Sequence, residues 1–146
     1  MASQSSSRLP DLNQVGAFLQ ALGLRFDVIE PTRVVATMML GPEHHTPWGV
    51  VHGGVYTTAI ESVASVGASL AVVERGQFAV GLNNSTDFLR PLGGGEVRVT
   101  AEAVHQGQTQ QLWQVTVTRS DGKMVARGQV RLQNVDLPRA GASPVR

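Results

Sequence analysis

The chain has 146 residues, 42% of them hydrophobic and 16% charged, which suits one ordinary globular core and excludes a disordered chain. Twelve basic residues against eleven acidic ones leave a net charge of +1. No global field therefore draws the chain to nucleic acid or an anionic membrane, and any phosphate contact must be local. The absence of cysteine excludes a disulfide framework, a thiolate nucleophile and a thiolate-bound metal, and makes the cytoplasm the simplest location.

Residues 1–9 are small and polar, without the apolar core of a signal peptide or anchor, and are expected to be flexible. The tail 136–146 carries two prolines and no apolar period, so the domain is expected to span residues 10–135. Pro10 and Asp11 open a predicted amphipathic helix, in which Val15, Phe18, Leu19 and Leu22 follow three-and-four spacing until Gly23 stops it. Two strands follow. Leu24, Phe26 and Val28 alternate with Arg25 and Asp27, and after a turn at Glu30-Pro31 the residues Val34, Ala36, Met38 and Leu40 repeat the pattern.

Gly41 to Gly49 reads as a loop. The stretch from Gly49 to Val73 is long and weakly polar, yet it carries His52, Glu61 and several hydroxyl residues. A carboxylate is costly in lipid, so this reads as a buried helix from Gly53 to about Val73 rather than a membrane span. Four strands complete the chain: Phe78 to Leu89, Glu96 to His105, Gln111 to Arg119 and Lys123 to Val135, with Asp121-Gly122 as a two-residue hairpin signal. The order predicts an α+β fold, an antiparallel sheet with one long helix buried against it. A helix this apolar needs cover on more than one side, which one sheet cannot supply, so a second subunit is expected.

Gly49, His52, Gly53 and Gly54 stand immediately before the helix, where backbone amides lack intrahelical acceptors. Such amides attract developing negative charge, and glycine leaves room for an oxyanion to approach. The two glycines would equally serve a tight turn and close packing. Glu61 is the one acid between Glu43 and Glu74 and is expensive to bury without purpose. With Thr57 and Ser65 it recurs every four residues, forming a polar stripe down one helix face. Such a carboxylate can attack a carbonyl or take a proton from water, or it can be structural, paired with a base or facing solvent.

His44, His45, His52 and Glu43 cluster near the loop, but their spacing matches no helical zinc motif, so no metal is assigned and His52 is expected to orient the loop. His105 is expected at the surface, and Trp113 and Met124 in packing roles. Arg90, before Pro91, can hold a phosphate by paired hydrogen bonds or stand solvated. The polar run Asn83, Asn84, Ser85, Thr86, Asp87 inside a strand either lines a site or marks a bulged strand with one wet face.

The run Gly49-Val50-Val51-His52-Gly53-Gly54, the carboxylate nine residues after the histidine, and Phe88-Leu89-Arg90-Pro91 together resemble the PaaI-type and 4-hydroxybenzoyl-CoA-type hotdog thioesterases, over about Leu22 to Val135. That resemblance implies a hotdog fold, a sheet wrapped around a long central helix. It also implies a site formed across a homodimer, with homotetramers built from two dimers. It places the catalytic acid on Glu61, the oxyanion donor on Gly53 and an assisting hydroxyl on Ser65. It places Arg90 on a coenzyme A phosphate and a substrate contact on Thr46, and beside these His52, Gly54 and Asn84 are expected to contact substrate. Thr46 stands where the family often carries asparagine or glutamine. The implied activity is hydrolysis of an aromatic or medium-chain acyl-CoA, without cofactor, metal, nucleic acid or membrane. A hotdog dehydratase or hydratase and a non-catalytic acyl-CoA-binding domain are the alternatives.

Overall fold

The computed structural model describes residues 10–139. Residues 1–9 and most of the tail expected to be flexible lie outside the described residues. Eight elements matter here: α1 (Ala17–Leu22), β1 (Arg25–Ile29), β2 (Arg33–Leu40), α2 (Gly53–Val72), β3 (Gln77–Phe88), β4 (Gly95–Gln106), β5 (Gln110–Arg119) and β6 (Met124–Asp136). The strands form one antiparallel six-stranded sheet in the order β1-β2-β4-β5-β6-β3, and α2 packs across its face. This is the hotdog arrangement expected.

The helix seats itself through its small residues. Its buried side is Tyr56, Ala59, Ile60, Val63, Ala64, Gly67, Ala68 and Val72, a three-and-four repeat facing Val34, Val99, Trp113, Val115 and Val130 of the sheet. Gly67 allows the closest approach, since a Cβ there would lie 2.5 Å from Trp113 Cη2 and 2.8 Å from Val34 Cγ2. The segment Gly53–Arg75 is long and apolar enough to cross a membrane by composition, with a mean hydropathy of 1.3, but here it is the core helix of the sheet. Its outer face carries Thr57, Thr58, Glu61, Ser62, Ser65 and Ser69, all only partly covered within one chain.

Three expectations change. The first helix is much shorter, Ala17–Leu22, because Asp11 Oδ1 accepts the Asn13 N–H at 2.9 Å and its carbonyl accepts from Gln14, which makes a turn of the residues expected to open the helix. Gly23 ends it as expected, in the left-handed conformation with φ 71°. The last hairpin has a three-residue loop, 120–122, rather than two: Arg119 N–H bonds Lys123 O at 3.0 Å, Gly122 N–H bonds Arg119 O at 2.9 Å, and Gly122 takes φ 80°. The last strand runs one residue past its expected end at Val135, because β6 continues to Asp136 beside Gln77. Trp113 is fully buried as expected and adds a polar anchor, its Nε1 donating to Gln111 Oε1 at 3.0 Å.

Candidate active site

The site begins with an irregularity in β3. Gly81 pairs with Leu132 and Asn83 with Arg131, which leaves Leu82 as an extra residue in a β-bulge. Without it, strand alternation would continue 79, 81, 83, 85 toward the helix. The bulge instead resets the period, so Ala79 and Gly81 face the helix and then Asn84, Thr86 and Phe88 do. The polar run in this strand is therefore split: Asn84 and Thr86 turn inward, while Asn83, Ser85 and Asp87 stay exposed.

Glu61 meets this inward row. Asn84 Nδ2 donates to Thr57 O at 3.0 Å and to Glu61 Oε2 at 3.4 Å, and Thr86 Oγ1 donates to Asn84 Oδ1 at 2.7 Å, which fixes the amide's orientation. Glu61 Oε1 lies so close to Gly81 that a Cβ there would collide with it. Among the described residues no lysine, arginine or histidine stands within ion-pair distance of Glu61. The carboxylate opens, with Ser65, into a cavity of about 310 Å³ whose other walls include Leu12, Val15, Leu19 and Phe26.

The helix head is organised by His52. Its Nδ1 accepts the Gly54 N–H at 2.8 Å, and its own N–H bonds His44 O at 2.8 Å. A Cβ on Gly54 would sit 2.9 Å from that ring nitrogen, so glycine there serves the cap. The Gly53 N–H has no partner among the described residues. Phe88 lies over Gly53, where a Cβ would meet its ring at 3.0 Å, and Tyr56 stands 6.4 Å from that ring between centroids. Burial pushes the Tyr56 phenol up from its ordinary value, so this aromatic floor stays neutral.

The other residues singled out are more local. Thr46 Oγ1 accepts the Trp48 N–H at 3.3 Å within its own turn. Arg90 is exposed just past β3 and donates through Nη1 to Met124 O at 2.8 Å. His44, which is buried, donates from Nε2 to Ala21 O at 2.7 Å and accepts the Gly41 N–H on Nδ1 at 3.1 Å, tying α1 to the loop. His45 Nε2 bonds Gly93 O, and His105 lies at the surface. Gly81 was not singled out from sequence, and Phe88 was named only as part of the run Phe88-Leu89-Arg90-Pro91, without a role of its own. A lone glycine inside a strand pattern was the available signal for Gly81, since it marks a bulge or a close approach.

Within one chain Glu61 and the Gly53 amide lie far apart along α2. They are eight residues apart, about 12 Å of helical rise, and the N–H groups of a helix start point away from the residues that follow. A carbonyl oxygen on Gly53 N–H is thus carried further from Glu61 of the same chain.

The family description Thioesterase superfamily matches residues 49–126. The protein Rv1847 of Mycobacterium tuberculosis, an esterase by name, is 45% identical over 127 residues, 86% of this chain and 91% of its own. Its solved structure superposes with a TM-score of 0.80, covering 83% of this chain and 98% of that one. AziG of S. sahachiroi, 41% identical, gives a TM-score of 0.81 over 85% of this chain and 100% of its own. The 1,4-dihydroxy-2-naphthoyl-CoA hydrolase of Escherichia coli is 30% identical over 109 residues, 75% of this chain and 79% of its own.

Proposed function

Because the chain belongs to the thioesterase superfamily, we propose that it hydrolyses the thioester of an aromatic or medium-chain acyl-CoA in the cytoplasm, with Glu61 as its catalytic carboxylate. The observation that carries this reading is the setting of Glu61: partly buried, without a cationic partner among the described residues, held by Asn84 and open to an apolar cavity. A structural carboxylate in such a place is normally paired with a cation.

The separation of Gly53 and Glu61 along α2 supports a site built from two chains. Gly53 of one subunit offers its free N–H to the thioester oxygen, and Glu61 of the second faces the carbonyl carbon. The sheet edge β3 supports such a homodimer: its outer backbone is unpaired within the chain, and Leu82, Phe88 and Leu89 are exposed along and just beyond it. Two such dimers make the homotetramer. In the general-base route Glu61 takes a proton from water, whose oxygen bonds the carbonyl carbon. The oxyanion rests on the Gly53 N–H, and collapse breaks the C–S bond so that the coenzyme A thiolate leaves with the proton. In the nucleophilic route the carboxylate bonds that carbon first, the thiolate leaves, and water opens the resulting anhydride. Ser65, in the same cavity wall, orients the attacking oxygen. Asn84 steers the carboxylate. Arg90 has N–H groups beyond the one on Met124 for a coenzyme A phosphate, and Thr46, His52 and Gly54 shape the approach to the helix head.

The test is Glu61→Gln, assayed by thiol release across acyl-CoA substrates beside thermal unfolding and sedimentation. The variant should keep its fold and assembly while kcat falls by about a hundredfold or more. A folded variant with near-native kcat refutes the assignment.

A further inference from the structure

The cavity beside Glu61 has a wall that the catalytic reading does not use. One side is the outer face of α2, with Glu61, Ser62, Ser65 and Val66. The other is Leu12, Val15 and Leu19 from the segment leading into and through α1, with Leu24, just before β1, and Phe26 of β1 behind. Leu12, Val15 and Leu19 are each partly buried, and Leu12 and Val15 lie outside any helix or strand. The spacing that predicted a longer amphipathic helix is here spent on lining a cavity.

Resting on the thioesterase reading above, we propose that Leu12, Val15 and Leu19 set acyl-group selectivity: they close the far end of the pocket and admit an uncharged, apolar acyl group of limited length. The lining chemistry supports this. Apart from Glu61 the walls carry no charged side chain, and their polar groups, the Ser62 and Ser65 hydroxyls, sit on the helix beside the carboxylate. A thioester carbonyl placed at Glu61 therefore sends its acyl tail toward leucine, valine and phenylalanine. A carboxylate at the end of that tail would lose its hydration with nothing cationic to replace it, and would share the pocket with Glu61. Size supplies the second constraint. The cavity of about 310 Å³ ends against Leu12, Val15 and Leu19, so an octanoyl or benzoyl group rests against this apolar wall and a dodecanoyl chain must run past it. One methylene more or less in such a pocket changes kcat/KM by roughly 10- to 200-fold, so the end wall has the leverage to select.

The experiment uses the full chain and the CoA thioesters of butyrate, octanoate, benzoate, dodecanoate and succinate, read by thiol release. The wild type should favour octanoyl or benzoyl over dodecanoyl by about tenfold or more, with succinyl-CoA about a hundredfold slower. Leu19→Ala should raise the dodecanoyl to octanoyl ratio of kcat/KM by about tenfold, and Leu19→Trp should lower the octanoyl to butyryl ratio by a similar factor. Val15→Ala, altered outside any regular element, should act as Leu19→Ala does, and serves where a Leu19 variant fails to fold. If the wild type hydrolyses the panel but these ratios stay within twofold in folded variants, the selectivity assignment falls alone. If the wild type releases no thiol from any member, the thioesterase reading falls and takes the pocket with it.

Discussion

Gly81→Ala separates catalytic placement from stability. The glycine does not have a positive φ, so alanine fits its backbone, and the loss of unfolded-state freedom favours folding by about 0.4 to 1 kcal/mol. The new Cβ, however, would collide with Glu61 Oε1 and stand 3.1 Å from its Cδ, where ordinary contact begins at 3.4 Å. The obstructing atom is the end of a flexible side chain, so the carboxylate swings aside rather than the strand moving. That swing must be about 1 Å, and it breaks the 3.4 Å contact with Asn84 Nδ2. A displacement of about 1 Å at a reacting group costs on the order of a hundredfold in rate. Gly81→Ala should therefore lose about 30- to 100-fold in kcat/KM, measured by thiol release on octanoyl-CoA, while its melting temperature stays within about 3 °C of wild type. A variant that is folded and within threefold of wild-type activity would show that the position of this carboxylate is immaterial to turnover.

Gly67→Ala should do the reverse: its Cβ meets the rigid Trp113 ring at 2.5 Å, so overpacking of about 1–3 kcal/mol should lower the melting temperature by roughly 3–10 °C, with kcat per folded molecule unchanged. Gln111→Leu strands three partners at once, the Trp113 Nε1, the Ala68 carbonyl and Asn134 Oδ1, and should destabilise by about 3 kcal/mol or more, read from urea unfolding. Asp121 is held down to about 2 from 3.8 by the Arg119 guanidinium and then the Lys123 N–H. Since its folded value is depressed, its contribution is present above the unfolded value and is lost as pH falls through about 2. Asp121→Asn should therefore melt slightly below wild type at pH 7, and the gap should close toward pH 2.

Sequence alone gave the architecture because the long elements carry strong periods. Alternation in β2, β4 and β6 places Val34, Ala36, Met38, Val97, Val99, Val130 and Leu132 in the core, where the structure buries them. The helix was legible because Gly53–Val72 runs for twenty residues without strand alternation or an internal proline, too long for an ordinary strand. The short elements were not. In α1 the apolar spacing is real, but a six-residue helix adds few hydrogen bonds, and the Asp11 side chain competes for the amide of Asn13. Val15 and Leu19 then find their burial against the cavity and Phe18 finds none, remaining 73% exposed.

The candidate site was legible in its residue types and hidden in its geometry. Glu61 stood out as a lone acid in an apolar helix, and His52 as a residue orienting the loop ahead of it, because both depend on local chain position. What supports Glu61 depends on register in a distant strand: one extra residue, Leu82, decides whether Asn83 or Asn84 reaches the helix. Periodicity cannot reveal which of two adjacent asparagines turns inward when the bulge itself breaks the period. The polar stripe fixes a face and not a site for a related reason. Residues on one helix face share a direction but not a position, and Gly53 and Glu61 are separated by about 12 Å of rise. A stripe of that length can serve one thioester only when a second helix brings its own head alongside, and one chain's sequence carries no register for that pairing. In the proposed dimer the exposed apolar residues along and just past β3 are its local trace, since Phe88 both covers Gly53 and remains 56% exposed at the sheet edge.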